Sequence, residues 1–446
     1  MRSLKNFFII FFFIFLNNCS FDNKTGIWKE HNKKVIAEAK EQVEIERIFE
    51  KKEIFDKEIE SNDLVIISKK NTNINWTQDN LSDSNFVPHL SYKNNKNKIF
   101  KSKKIGKSKY SNTNVRLEPL FLDNSIFFYD LVGNIYNYSI VNNKLIWKFN
   151  FYKKRFKNIP VIINFKIISN SLVVSDNLGY LYNLDKDTGR LIWAKNQGVP
   201  LTSELKSYNN KIFLLNQDNK FYIFEKDTGK KILDFETFPV ILKKDNRQTL
   251  ALDSQDNLYF VTSAGQIFSI NHNNYKINWL KNIKDAGMND EYGLFSSSPI
   301  IVKEESLYLS SSRSTVSIES SSGKTNWEIP FGTKIRPIIS NRFIFLVSKN
   351  GLIINVEKST GKIVWSKKIF TSKDISLDKI GEIHSLLLIS DQLFLTTKKG
   401  YFFFVNFKNG QVINYAKVAK GFFSMPIVAN EKIYIIDKKM SLLIFN

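Results

Sequence analysis

One short hairpin recurs along most of this chain, and its spacing constrains the fold more than any other feature. In LYNLDKDTGRLIWAKN (181–196) an apolar run stops at Asp-Lys-Asp-Thr-Gly, and a second run then carries Trp193. Asp and Thr side chains can bond nearby backbone, and Gly189 can take positive φ, so the stretch reads as two strands joined by a tight turn. FYIFEKDTGKKILDF (221–235), TVSIESSSGKTNWEI (315–329), LIINVEKSTGKIVWS (352–366) and FFFVNFKNGQVINYA (402–416) repeat the form. IYNYSIVNNKLIWKF (135–149) and IFSINHNNYKINWLK (267–281) are weaker copies, in which Asn is expected to replace the turn glycine.

The aromatic after each turn falls at Trp147, Trp193, Phe235 or the neighbouring Asp234, Trp279, Trp327, Trp365 and Tyr415, spaced 38 to 50 residues apart. Two further apolar runs precede most hairpins, as IRPIIS and RFIFLVSKNG do before Trp365. Four strands in about 45 residues is the period of a β-propeller blade. The runs alternate or are continuously apolar, which excludes a helical solenoid.

The C-terminal FFSMPIVANEKIYIIDKKMSLLIFN has three strand-like runs and no fourth. INWTQDN (74–80), with Trp76, is expected to complete that last blade and close the ring without an open edge. The predicted fold is therefore all-β: an eight-bladed propeller over 76–446, closed by an N-terminal strand. The recurring aromatics Trp76, Trp147, Trp193, Trp279, Trp327, Trp365 and Tyr415 are expected to dock each blade on the next. A stacking platform for a planar cofactor is the competing reading, and a fixed repeat position suits one special site poorly. Asp185 and Asp187 lack the Gly and bidentate Glu of a calcium loop at the required positions, so that turn reads as structural.

The first residues differ in kind. Arg2 and Lys5 precede a ten-residue apolar core, Phe7 to Leu16, too short for a membrane helix and suited to a signal peptide over 1–18. Cys19, the only cysteine, follows directly. Leu16 three residues before it fits a lipoprotein signal, and Asn18 departs from the usual small residue there. Cys19 is thus the expected lipidation site, with acyl chains as a membrane anchor. One cysteine permits no internal disulfide. Residues 19–75, rich in Lys and Glu between 29 and 60, read as a charged, partly helical tether.

The formal net charge is +22, and nearly all of it falls after residue 75. Such a field can steer a protein toward anionic lipid or an acidic partner. No nucleic-acid motif accompanies it. The four histidines, His31, His89, His272 and His384, have no metal-ligand spacing, and no nucleophile elbow, Walker loop or dinucleotide fingerprint occurs. No catalytic residue, metal or cofactor is therefore assigned.

The L-Y-x-L-D-x-x-T-G-x-x-x-W pattern resembles the pyrroloquinoline-quinone-type propeller repeat. Two families use it: the quinone-dependent dehydrogenases, and the BamB family of lipoproteins in the outer-membrane β-barrel assembly machinery. The BamB resemblance covers nearly the whole chain from Trp76. WTQDNLSDSNFVPHL (76–90) is similar to its opening segment, with Trp76, Gln78, Asn85 and His89, and 421–446 to its closing segment. The dehydrogenases' adjacent cysteines are absent here. The resemblance implies a non-catalytic scaffold at the periplasmic face of the outer membrane of a Gram-negative bacterium. It implies the POTRA domains of a BamA-like barrel-inserting subunit as partner, with unfolded barrel proteins as further contacts. It places the contact on two loops, roughly 236–248 and 283–298, which here offer Arg247, Asp290, Glu291, Tyr292, Leu294 and Phe295. The alternatives are a quinone-dependent periplasmic dehydrogenase or its degenerate relative, and a propeller that binds envelope polysaccharide.

Overall fold

The computed structural model describes residues 54–110, 117–152, 156, 158–237, 247–283, 295–371 and 375–446, and the backbone of 19–21 and 28–30. The chain divides into two compact units, Met1–Lys52 and Glu53–Asn446. In the first, Cys19–Phe21 pairs antiparallel with Trp28–Glu30, so the expected, partly helical tether has extended pieces at its start. Residues 31–53 lie outside the described residues.

The second unit is an eight-bladed β-propeller of four-stranded antiparallel sheets. Seven blades are continuous in sequence: 120–150, 163–196, 206–235, 250–282, 301–329, 338–368 and 383–417. Each runs strand to adjacent strand, from the first to the fourth. First strands such as Leu250–Leu252 and Ile338–Ser340 are wholly buried, and several touch the first strand of the next blade. Fourth strands such as Leu191–Asn196 are largely exposed. The first strands therefore ring the centre and the fourth strands form the rim. Continuous apolar runs such as Phe343–Val347 are buried on both faces because a blade packs against each side.

The eighth blade is split. Ile427–Ala429, Lys432–Ile436 and Leu442–Phe445 are joined by Lys98–Lys101, with Lys98 opposite Phe445 and Lys101 opposite Leu443. An N-terminal strand does close the ring, but it is not the one containing Trp76. KIFK is mostly exposed, and lysines suit a rim position. Trp76 is 1% exposed and exchanges two 2.7 Å backbone hydrogen bonds with Phe121 of blade 1's first strand. Asn80, Asp83 and Asn85, which follow it, are hydrogen-bonded at the centre of the ring.

Residues 54–75 also belong to the propeller. Ile59 exchanges backbone hydrogen bonds with Ser366 on the rim of blade 6, Ser68 bonds the Ser340 hydroxyl, and Val65 is buried. The compact unit thus begins about twenty residues before the boundary expected from composition.

Candidate functional site

The repeated hairpin sets the blade junctions. In all seven continuous blades the ladder between the third and fourth strands slips by one residue just beside the turn. The turn residue takes positive φ: Asn143, Gly189, Gly229, Tyr275, Gly323, Gly361 and Gly410. At Tyr275 the structure departs from the expected Asn. Asp185 accepts from the backbone N–H and hydroxyl of Thr188 within its own turn. Four residues beyond the turn stand Trp147, Trp193, Trp279, Trp327 and Trp365. Each indole lies over the turn glycine of the next blade in sequence: Trp147 over Gly189, Trp193 over Gly229, Trp279 over Gly323, Trp327 over Gly361 and Trp365 over Gly410. Four of these indoles donate to a backbone carbonyl of that blade, those of Lys186, Lys226, Ser320 and Lys358.

Two blades break the pattern. In blade 3 the register places Leu233, not Phe235 or Asp234, at the tryptophan position. In blade 7 it places Asn414 there. Tyr415 is one residue out of phase, stacks on Phe403 within its own blade and is 38% exposed, because neighbouring strand residues point to opposite faces.

Residues 68–92 occupy the centre of the ring and reach all eight blades. Backbone bonds run to Phe121, Ile167, Leu252, Val302, Leu388 and Asn430, on or beside first strands of blades 1, 2, 4, 5, 7 and 8. Ser68 meets Ser340 of blade 6, and Lys206 of blade 3 donates to the Ser82 carbonyl. Beneath this strap lies a buried polar cluster. The Asn85 amide donates to the carbonyls of Leu250 and Ile300, both at 2.8 Å, and accepts from Lys206 Nζ at 2.6 Å. Asn80 donates to Glu118 and Glu204 and accepts from Arg336 at 2.8 Å. Lys166 pairs with Asp83 at 2.5 Å; burial pushes its ammonium down to about 8 despite that partner. His89 bridges the Ser68 carbonyl and the Asp391 N–H. The cavity left beside Trp76, Glu118 and Arg336 is about 10 Å³, room for about one water. Among the described residues no three His, Cys, Asp or Glu side chains converge as a metal site. Sequence reading missed this cluster; its signal was polar residues such as Glu204 and Lys206 inside otherwise apolar blade-opening runs.

The loop residues expected to face a partner fare differently. Asp290, Glu291, Tyr292 and Leu294 lie outside the described residues. Arg247 turns inward and pairs with Asp79 of the strap; burial pushes its guanidinium down to about 10. Phe295 is 6% exposed and packs with Val261, Ile267 and Ile300. Arg247 keeps 24% of its side chain exposed, whereas Phe295 is almost wholly covered. The Cys19 side chain is likewise outside the described residues.

The fold defines an eight-bladed propeller built from the pyrroloquinoline-quinone-type repeat, with its centre taken by its own N-terminal segment. The family described as outer membrane protein assembly factor BamB matches residues 103–233 and 132–367, and the chain belongs to that family. Curated relatives of that name from Shewanella oneidensis and Moranella endobia are each 21% identical, over 213 and 174 residues. These alignments cover 47% and 38% of this chain, and 52% and 43% of the relatives. The crystal structure of BamB from Moraxella catarrhalis superposes with a TM-score of 0.63 at 14% identity, over 78% of this chain and 98% of that one. A europium-containing methanol dehydrogenase superposes with a TM-score of 0.61 at 12% identity, over 81% and 89%. At such identities these two likenesses show the fold alone.

Proposed function

We propose that this chain is a non-catalytic scaffold of outer-membrane β-barrel assembly. It is held at the periplasmic face of the outer membrane by lipid on Cys19 and docks on the POTRA domains of a BamA-like subunit. The observation that carries the reading is membership of the BamB family across the blades from residue 103 to 367. The filled centre supports it. A reaction site assembled from several blades would draw on polar groups there, and Glu118, Glu204, Lys206 and Arg336 are already engaged by Asn80 and Asn85. The contact surface is proposed to include 284–294, with Asp290, Glu291, Tyr292 and Leu294. Cross-linking of a C-terminally tagged chain in native membranes, with mass spectrometry of what co-purifies, tests the reading. Recovery of the barrel-inserting subunit, lost on Asp290→Lys with Glu291→Lys, is the expected result. Its absence from a folded, membrane-bound sample would overturn the partner assignment.

A further inference from the structure

Among the described residues blade 8 alone is made from two distant parts of the chain, and a basic cleft opens at its junction with blade 7. The cleft has a volume of about 340 Å³. Lys101 comes from the closing strand, Lys417 and Lys420 from the end of blade 7, and Lys438 and Lys439 from the turn before Leu442–Phe445. Asp437 is the acidic residue of the lining, and its carboxylate accepts from the backbone N–H groups of Lys439 and Ser441 in its own turn. Some lysines elsewhere on this surface sit beside carboxylates, as Lys220 does with Asp234, Lys358 with Glu304 and Lys398 with Glu382. Among the described residues none of the five cleft lysines has such a partner. Lys417 lies over the Tyr401 ring at 5.3 Å, and the stem of Lys438 lies over Gly421. Like charges gathered in a concavity repel one another and focus a positive field, which an anion of several charges relieves.

We propose that this cleft binds a phosphate-bearing anion. Several ammonium groups around one concavity match a group with multiple charged oxygens, as phosphate is. The proposal is independent of the scaffold reading, since the cleft lies between blades 7 and 8 and residues 284–294 connect blades 4 and 5 in sequence. Because Lys101 and the other four lysines come from opposite ends of the propeller sequence, the bound anion would clasp the closing strand to blade 8. Binding to the closed ring alone raises the unfolding temperature with ligand concentration.

The test uses the full chain and two probes. Inorganic pyrophosphate is titrated by calorimetry and thermal unfolding, and flotation compares phosphatidylcholine vesicles with and without phosphatidylglycerol. The variant is Lys420→Gln, Lys438→Gln and Lys439→Gln together. A control, Lys195→Gln, Lys230→Gln and Lys276→Gln, removes the same charge from exposed rim and turn positions. Saturable pyrophosphate binding that raises the unfolding temperature, weakened about tenfold in the cleft variant and unchanged in the control, supports a soluble phosphate ligand. Vesicle binding that needs phosphatidylglycerol, and that only the cleft variant loses, supports a lipid headgroup. Equal loss in both variants, or no response to either probe, overturns the proposal. Tryptophan emission confirms that each ring is intact.

Discussion

Trp147 of blade 1 lies so close over Gly189 of blade 2 that a Cβ placed on that glycine would sit 2.6 Å from the indole Cδ2. The turn needs a residue at φ +71, and the neighbouring blade needs that residue to have no side chain. The two demands select glycine together. The same pairing recurs as Trp193 on Gly229, Trp327 on Gly361 and Trp365 on Gly410. Gly189→Ala is expected to destabilise by ~1–3 kcal/mol through backbone strain, with the clash in addition. Trp147→Ala is expected to cost about 3 kcal/mol through the cavity it leaves. The double variant should cost less than the sum, because removing the indole relieves the clash. Urea midpoints of the four proteins measure this, and strict additivity would show that the contact does not hold the two blades together.

Asp176 caps the turn between the second and third strands of blade 2. It accepts from the Leu178 and Tyr180 N–H groups and from the Tyr152 hydroxyl. Burial pushes its carboxyl up to about 6, although those hydrogen bonds pull the other way. A carboxyl with a raised native pKa binds more protons folded than unfolded. Its favourable contribution is present below about pH 4 and is lost as the pH rises through 6. At neutral pH the ionised group costs up to about 3 kcal/mol. Blade 3 shows the remedy: Asn216 caps the same turn and its amide donates to Tyr222 at 3.2 Å. Asp176→Asn is therefore expected to stabilise the ring at pH 7 and to flatten the stability profile between pH 4 and 6. Denaturation at a series of pH values checks both. An unchanged profile would place the carboxyl in the ordinary range.

Asn85 is fully buried and holds three blades at once through Leu250, Ile300 and Lys206. Asn85→Leu leaves the Lys206 ammonium, itself 0% exposed, with only Glu204 at 3.7 Å and the Ser82 carbonyl. The expected cost is about 3 kcal/mol, in the range for an uncompensated buried charge. Hydrogen exchange at 71–90 should quicken more than exchange in the blades. Exchange that quickens uniformly would mean that the strap has no stability of its own to lose.

The ring was legible because its signal is repeated. A tight turn with apolar runs around it, written seven times, and a tryptophan four residues on in five of them leave few alternatives to eight blades. What was not legible is position within the repeat. Tyr415 and Trp193 look equivalent by eye, yet one residue of register puts them on opposite faces. The closing strand was misplaced for a related reason. INWTQDN carries a tryptophan and KIFK is a four-residue run flanked by lysines, and only the burial demands of the ring decide that the first goes to the centre and the second to the rim. Arg247 was assigned outward from its place in a loop. Its inward turn depends on Asp79, 168 positions away in sequence, which no local pattern announces.

The same long-range contacts make the N-terminal boundary testable. Composition changes near residue 75, but the packed unit begins at Glu53. Between these points the chain adds itself to the rim of blade 6. Ile59 pairs with Ser366, Glu58 accepts from the Lys368 N–H at 2.8 Å, and Asp56 meets the Lys368 ammonium. It then crosses to the centre through Val65 and Ser68, and Asn73 donates to Val428 of the closing blade at 2.8 Å. A chain beginning at residue 54 keeps all of these contacts and is expected to unfold at the same temperature as one beginning at residue 20. A chain beginning at residue 76 keeps the closing strand, the Trp76 ladder and the Asn85 cluster, but leaves blade 6 with a bare rim and His89 without the Ser68 carbonyl. The loss of the apolar contacts of Val65 and Ile67 with blades 6 and 7, together with these hydrogen bonds, is expected to lower the unfolding temperature by several degrees while leaving one cooperative transition. Calorimetry of the three lengths decides it. Equal transitions at 54 and 76 would return 54–75 to the status of a tether, whereas loss of cooperativity at 76 would make the strap's first half a requirement for closing the ring.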